Sequence, residues 1–426
     1  MRQMKDSGIE WIGKIPEDWA IERMKSLFTE RNERDCKGRT LLSVSQFWGI
    51  RPKSETDIAD SHIAESYDDY KEVYQGDFVM NIMLAWNGSY AVSEYDGMVS
   101  PAYCVFKFRK GCCKKYFHYL LRTNGYSTAF KTMSRGVIDS RLRLYPEQFY
   151  TFPIIIPSID EQQRIADYLD EKCVEIDSLI ALQEQMIEKL KAYKQSVITE
   201  AVTKGLNPDV QLVPSDIDCI GDVPKGWNKC APLKWFTEII LGKMLQSNAN
   251  SPTDTLEKYI CAKDVHFDGI DYSDLKSMYY SPSEKGSYQV QRGDMLVVEG
   301  GAGAAGAAIV DKDIENTYIQ NSIMIVRPKR NIDIRYARYV LFSIVSRGYV
   351  DYICNKATIP HFTKDKLSGT VIPMPSFAEQ RAIADYLDTK CSEIDRLIKT
   401  KQQKIETLKD YKKSVIYEAV TGKTEI

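Results

Sequence analysis

The sequence predicts an α+β protein with an internal pseudo-two-fold repeat: two bodies of mixed structure, each followed by one long helix. Three observations carry that expectation. Residues 157–203 return 218 positions later as residues 375–421, with 31 of 47 aligned positions identical and no gap. Inside both copies, positions spaced 4-3-4-3 are mostly apolar, the 3.5-residue period that keeps one stripe facing a partner helix. Before each copy lies a stretch in which short β-like runs alternate with turn residues.

Each element follows from its local pattern. S-G-I-E-W-I-G-K-I-P-E-D-W (residues 7–19) is echoed by S-D-I-D-C-I-G-D-V-P-K-G-W (residues 215–227), and Q-G-D-F (75–78) by R-G-D-M (292–295). Outside these landmarks the bodies hardly resemble each other. Strands are expected at 77–84, 102–108, 294–298 and 322–326, and helices at 116–122 and 335–346. A last β-like segment, 151–156 or 370–374, leads into each tail. The Gly76-Asp77 and Gly293-Asp294 pairs read as tight turns. The tail seams run Leu169, Cys173, Ile176, Ile180, Gln183, Ile187, Leu190, Lys194, Val197, Ala201 and Leu387, Cys391, Ile394, Ile398, Lys401, Ile405, Leu408, Lys412, Val415, Ala419. Polar layers at Gln183/Lys401 and Lys194/Lys412 restrict register. Ser158 (or Asp160) and Ser376 are the expected N-caps, and Gly205 and Gly422 help end the helices. At 1.5 Å per residue, about 42 residues make a rod of roughly 60 Å. The expected division is therefore 1–156, 157–205, 206–374 and 375–426.

Composition narrows the function classes. With 43% hydrophobic and 27% charged residues in 426, the chain reads as globular with several cores. No apolar run approaches the ~18–20 residues of a membrane span, and the first residues lack a signal peptide's apolar core. Ten cysteines without a Cys-x-x-Cys pair fit free thiols in a reducing cytoplasm, and four scattered histidines offer no metal cluster. The net charge of −2 hides local bias. Residues 107–143 carry ten cations against Asp139, and residues 327–366 carry nine against three acids. Two such runs at equivalent places point to anionic partners. Residues 55–77, with eight carboxylates against one lysine, hold part of the compensating charge.

Catalytic motifs are weighed and set aside. Gly301-Ala302-Gly303-Ala304-Ala305-Gly306 fits the dinucleotide fingerprint and follows a strand-like run. The expected helix is missing after it, however, so it reads as a hairpin loop able to approach a ligand. No phosphate-binding P-loop, amino-methyltransferase run or nuclease cluster occurs, so the chain reads as non-catalytic.

With these residues in hand, the chain resembles the specificity subunit of type I restriction–modification systems. The resemblance is carried by I-G-x-[IV]-P-x-x-W, P-x-x-E-Q-x-x-I-A-x-[YL]-L-D and E-A-V-T, and covers nearly the whole chain. It implies two target recognition domains, each reading half of a split double-stranded DNA site, separated by two antiparallel coiled-coil helices. It further implies two modification subunits and restriction/translocase subunits as partners. S-adenosylmethionine, ATP and magnesium would be bound there, with no cofactor or metal on this chain. Glu161, Gln162, Ile165 and Leu169, with Glu379, Gln380, Ile383 and Leu387, match the family pattern as helix-start and docking residues. Ile176, Ile187, Leu190, Ile394, Ile405 and Leu408 extend that seam. Base and phosphate contacts have no family-wide motif. The candidates are Asn87, Ser89, Lys107, Arg109, Arg135, Arg141 and Arg143 in the first body. In the second they are Gln320, Asn321, Lys356, Thr358, His361 and Thr363. The competing reading is a coiled-coil scaffold that dimerises two partners without reading DNA.

Overall fold

The protein is described from a computed structural model covering residues 2–34, 38–56, 67–109, 111–136, 138, 142–301, 303–354 and 360–426. It divides into two compact units, Met1–Glu184 with Gln403–Ile426, and Gln185–Gln402. Compactness thus groups the chain differently from four consecutive segments. Each unit holds one body, the start of the helix that follows it, and the end of the other long helix. The long helices are Ile159–Lys204 and Phe377–Val420.

In the first unit a four-stranded antiparallel sheet runs in the order Phe28–Arg31, Tyr103–Phe108, Phe78–Asn81, Tyr90–Val92. The second unit repeats that order with Thr237–Leu241, Ile323–Pro328, Met295–Val298 and Ala307–Ile309. Bodies that share little sequence therefore share one sheet. The second body adds a three-stranded sheet, Lys276–Tyr280, Thr255–Ile260, Thr317–Ile319, whose last pair is parallel.

The strands read as continuous apolar runs because both sheet faces are buried. Phe78, Met80, Tyr90, Cys104 and Phe106 pack into one core, while the alternating Val79, Ala91 and Val105 pack into another. Met295, Val297, Met324 and Val326 are likewise separated from Leu296, Val298, Ile323 and Ile325. The helix-side core of each unit also takes in the long helices: Ile165, Ala166, Leu169, Ala419 and Val420 in the first, Val197, Ile198, Ala201, Val202, Ile383, Ala384 and Leu387 in the second. Within each unit the two helix segments run antiparallel, latched by Lys412–Asp177 in the first and Lys194–Asp395 in the second, both at 2.7 Å.

The landmark motifs meet at one joint in each unit. Ser158 and Ser376 cap the helices, their Oγ accepting from the N–H of Glu161 at 3.3 Å and of Glu379 at 3.2 Å. Trp19 Nε1 donates to Glu161, and Trp227 Nε1 to Glu379, both at 2.9 Å. Gln162 accepts from Cys113 N–H at 2.9 Å and donates to Pro157 O at 2.8 Å. Gln380 repeats this with Asp333 N–H at 3.0 Å and Pro375 O at 3.0 Å. The end of the other helix closes the joint. Gly422 lies against Pro16 and Trp19, and Gly205 against Trp227 and Glu379, both with positive φ.

Both glycines pay the left-handed penalty if replaced by alanine, roughly 1–2 kcal/mol. A Cβ at Gly422 would overlap Pro16, whereas one at Gly205 would sit 3.3 Å from its nearest atoms. Gly422→Ala should therefore destabilise the first unit more than Gly205→Ala destabilises the second. Hydrogen exchange resolved by unit measures the difference.

His118, half-buried beside Tyr119, accepts from Val92 N–H through Nδ1 at 3.3 Å. Burial pushes it down to about 4; Arg122 and Lys115 add to that and Asp170 opposes it. The unfolded chain takes up the proton near pH 6.5 and the folded unit only near 4, so stability is complete above 6.5 and falls as pH drops through that window. The loss should reach about 3 kcal/mol. Unfolding of the first unit followed between pH 7.5 and 4.5 should show it, and His118→Asn, which keeps an acceptor without the titration, should flatten the profile.

Candidate nucleic-acid interface

In each unit the chain leaves the same end of the central sheet through two loops. In the first, residues 82–89 connect Phe78–Asn81 to Tyr90–Val92, and Ile82 is held by both neighbours: its N–H donates to Ala102 O at 3.0 Å and its carbonyl accepts from Leu144 N–H at 3.0 Å. In the second, Glu299 takes the same place, donating to Ser322 O at 2.8 Å and accepting from Phe362 N–H at 2.6 Å. The segment preceding the last short helix thus lies beside the hairpin loop in both units. The glycine-rich run of the second unit is this hairpin loop, joining the antiparallel strands Met295–Val298 and Ala307–Ile309. A strand follows it rather than a helix, which excludes the dinucleotide fold. Gly300 pairs with His361, and a Cβ there would stand 3.0 Å from the imidazole Nδ1.

These two rims carry many of the candidate readers, but not all keep a free side chain. Ser89 is buried, and its N–H and Oγ both donate to Asn87 Oδ1, at 3.2 and 2.8 Å. It shapes the turn and does not face a ligand. Arg135 and Arg143 exchange two backbone hydrogen bonds, 2.8 and 2.9 Å. Arg143 Nη1 folds back to Leu142 O at 2.8 Å, while Arg135 is exposed. Lys131 Nζ lies 5.3 Å over the Trp86 ring. In the second rim Gln320 Oε1 accepts from Ser322 N–H and Oγ, its Nε2 donates to Asn321 Oδ1, and Asn321 N–H donates to Lys243 O. His361 is exposed, and Thr363 stands half-buried as N-cap residue of Lys364–Gly369. Arg141, Lys356 and Thr358 lie outside the described residues.

The basic stretches do not form the surfaces their counts imply. Lys107 and Arg109 sit at the opposite end of the sheet from the rim, near Glu33 (3.7 Å) and Lys25 O (3.3 Å). Lys115 pairs with Asp170, and Arg122 donates to Tyr90 O and Gln46 O, both at 2.7 Å. Arg327 pairs with the turn carboxylate Asp294 at 2.7 Å, Arg335 with Asp333, Asp385 and Asp388, and Arg338 with Phe267 O. Arg347 donates to Cys219 O and Ile220 O, and Lys366 to His361 O. Much of the local positive charge is consumed inside each unit by acids and carbonyls distant in sequence.

One motif was missed. K-Y-F-H-Y (115–119) and R-Y-A-R-Y (335–339) share [KR]-Y-x-x-Y at a spacing of 220. Tyr119 donates to Asp170 at 2.8 Å and Tyr339 to Asp388 at 2.7 Å, the same position of the two helices. Tyr116 donates to Val420 O at 2.9 Å, and Tyr336 to Pro373 O at 3.1 Å. A search for short motifs at spacings near 218 would have found it.

Glu161, Gln162, Ile165, Leu169, Ile176, Ile187, Gln380, Ile383, Leu387, Ile394 and Ile405 are buried, and Glu379, Leu190 and Leu408 half-buried. The helix-start residues bind their own body, so they do not present a surface to another subunit. Identical large apolar side chains exposed in both helix copies are Leu179 with Leu397 and Tyr193 with Tyr411. Among the described residues no three His, Cys, Asp or Glu side chains are grouped to hold a metal, and no helix is long and apolar enough to cross a membrane.

Each body-plus-helix unit is thus constant at its joint and variable at its loop rim. The chain belongs to the family of type I restriction–modification DNA specificity domains, whose model matches residues 16–192 and again 236–407. It is 22% identical over 429 residues to the specificity subunit of the type I restriction enzyme MjaVIII of Methanocaldococcus jannaschii, covering 97% of this chain and 94% of that protein. The EcoBI specificity subunit of Escherichia coli is 22% identical over 368 residues, covering 82% and 74%. In fold the chain is similar to one solved in a study of type I R-M complex assembly and conformational transition, with TM-score 0.72, 17% identity, and coverage of 96% and 99%. It is also similar to the HsdS subunit of Thermoanaerobacter tengcongensis, with TM-score 0.54, 16% identity, and coverage of 96% and 98%. Family membership gives the chain a role in DNA sequence specificity.

The rim and the far sheet end make opposite predictions for that role. Lys131→Ala should weaken duplex binding and lower the slope of log K against log salt by about 0.9, the value of one phosphate contact. Lys107→Ala should leave both unchanged. A salt titration of the two variants in one binding assay checks this.

Proposed function

We propose that this chain is the non-catalytic, DNA-reading subunit of a type I restriction–modification complex, with each unit reading one half of a split, asymmetric duplex site through its loop rim. The observation that carries the reading is that one sheet and one pair of loops recur in both units, while the side chains on those loops differ. A shared scaffold sets where DNA is met, and unlike rims make the two halves of the target unlike. The long helices serve as the antiparallel spacer, and their gap accounts for bases left unread.

Two modification subunits dock on the long helices in this proposal, and restriction subunits join through them. Leu179/Leu397 and Tyr193/Tyr411 support two equivalent docking sites, because the same apolar side chains are exposed at matching positions. S-adenosylmethionine, ATP and magnesium belong to those partners, and the complex works in the cytoplasm.

Methylation-resolved sequencing of the host genome with and without the gene tests the proposal. One bipartite, non-palindromic methylated motif should vanish on deletion. An unchanged methylome alongside intact partner binding would instead make the chain a scaffold.

A further inference from the structure

We infer that Arg135 reads a guanine in the major groove of the half-site taken by the first unit, with Met83 and Leu84 against thymine methyl groups beside it. The inference rests on the DNA-reading function proposed above and adds base identity to it. Three features of the rim carry it.

The first is a fixed backbone. Arg135 is tied to Arg143 by two hydrogen bonds, and Ser134 before it caps Asn124–Met133 by donating from Oγ to Phe130 O at 2.7 Å. That helix is anchored through Phe130, which is fully buried and edge-on to Tyr90 and Phe152. A planar guanidinium on a rigid base suits the two acceptors, O6 and N7, that guanine shows in the major groove.

The second is exposure. Where Lys115 and Arg122 of the same basic run are bound inward, Arg135 stands in solvent. The third is its surroundings. Met83 and Leu84, each exposed by 39%, follow Ile82, whose carbonyl accepts from Leu144 N–H next to the Arg135–Arg143 pair. The Trp86 ring, which donates to Met83 O at 3.0 Å and lies under Lys131, links the loop to the end of the helix. Apolar side chains beside a guanidinium fit the groove floor, where thymine carries its methyl, while Lys131 serves the phosphate backbone alongside.

The test uses the full chain in its complex. With the unaltered chain, methylation-resolved sequencing gives the motif. Arg135→Ala should then lose discrimination at one G·C pair in one half by about 10- to 100-fold, leaving the other half unchanged. Arg135→Gln, whose amide matches adenine, should shift preference at that same pair toward A·T. Thermal unfolding of both variants should match the parent. Uniform weakening at every position, with each base preference intact and the salt slope reduced by about 0.9, would make Arg135 a phosphate contact and overturn the inference. Absence of any motif with the unaltered chain would overturn the broader reading as well.

Discussion

The joint between tryptophan, glutamate and helix-end glycine holds the rest of the structure in place. A carboxylate with little access to water must be satisfied by donors, and removing one from a charge-bearing pair costs roughly 1.5–3 kcal/mol. Glu161 receives the Trp19 indole and the Arg2 guanidinium, and Glu379 receives Trp227. Because the glutamate sits in a helix's first turn, its bond to the tryptophan fixes body to helix. The glycine then brings the end of the second helix against the same ring. Three segments remote in sequence are ordered by one contact, which is why the landmarks around it stay alike in both copies while the bodies drift.

The second constraint lies in the sheet. Each central strand alternates between two cores, so neither face is available to a ligand and the sheet meets its surroundings at strand ends. Function is pushed to the loops. There the polar side chains do much of their bonding inward, as Asn87 does with Ser89 and Gln320 with Ser322 and Asn321. Such bonding removes acceptors from the reading set while stiffening the loop that carries the remaining donors, and a stiff loop loses less entropy on binding.

Much of this fold is legible in the sequence because its signals are local and repeated. The 218-residue spacing, the 3.5 period, the serine caps and the glycine stops each specify an element without tertiary knowledge, and all of them appear where expected. The strand runs are legible for the same reason. What fails is charge. The Gly-Asp turns read correctly as turns, since Asp77 and Asp294 accept from Tyr74 and Gln291 N–H. Their second bond escaped, because the arginine comes from an edge strand in one unit (Arg31) and from its neighbour in the other (Arg327). Basic runs counted along the chain likewise ignore acids that arrive from the helices, as Asp170 and Asp388 do. Sequence proximity measures charge density well and charge availability poorly.

That distinction explains how a chain of net charge −2 can serve DNA. Binding through phosphates scales with the cations left unpaired, and internal pairing here ties up arginines such as Arg31, Arg122, Arg327, Arg335 and Arg347. Every arginine bonded inward is one fewer for the sequence-independent term, which leaves a larger share of affinity to base contacts. For a subunit whose partners modify DNA, that balance is favourable. Non-specific sites outnumber the target by orders of magnitude, and reducing their attraction raises the specificity ratio without adding a single base contact.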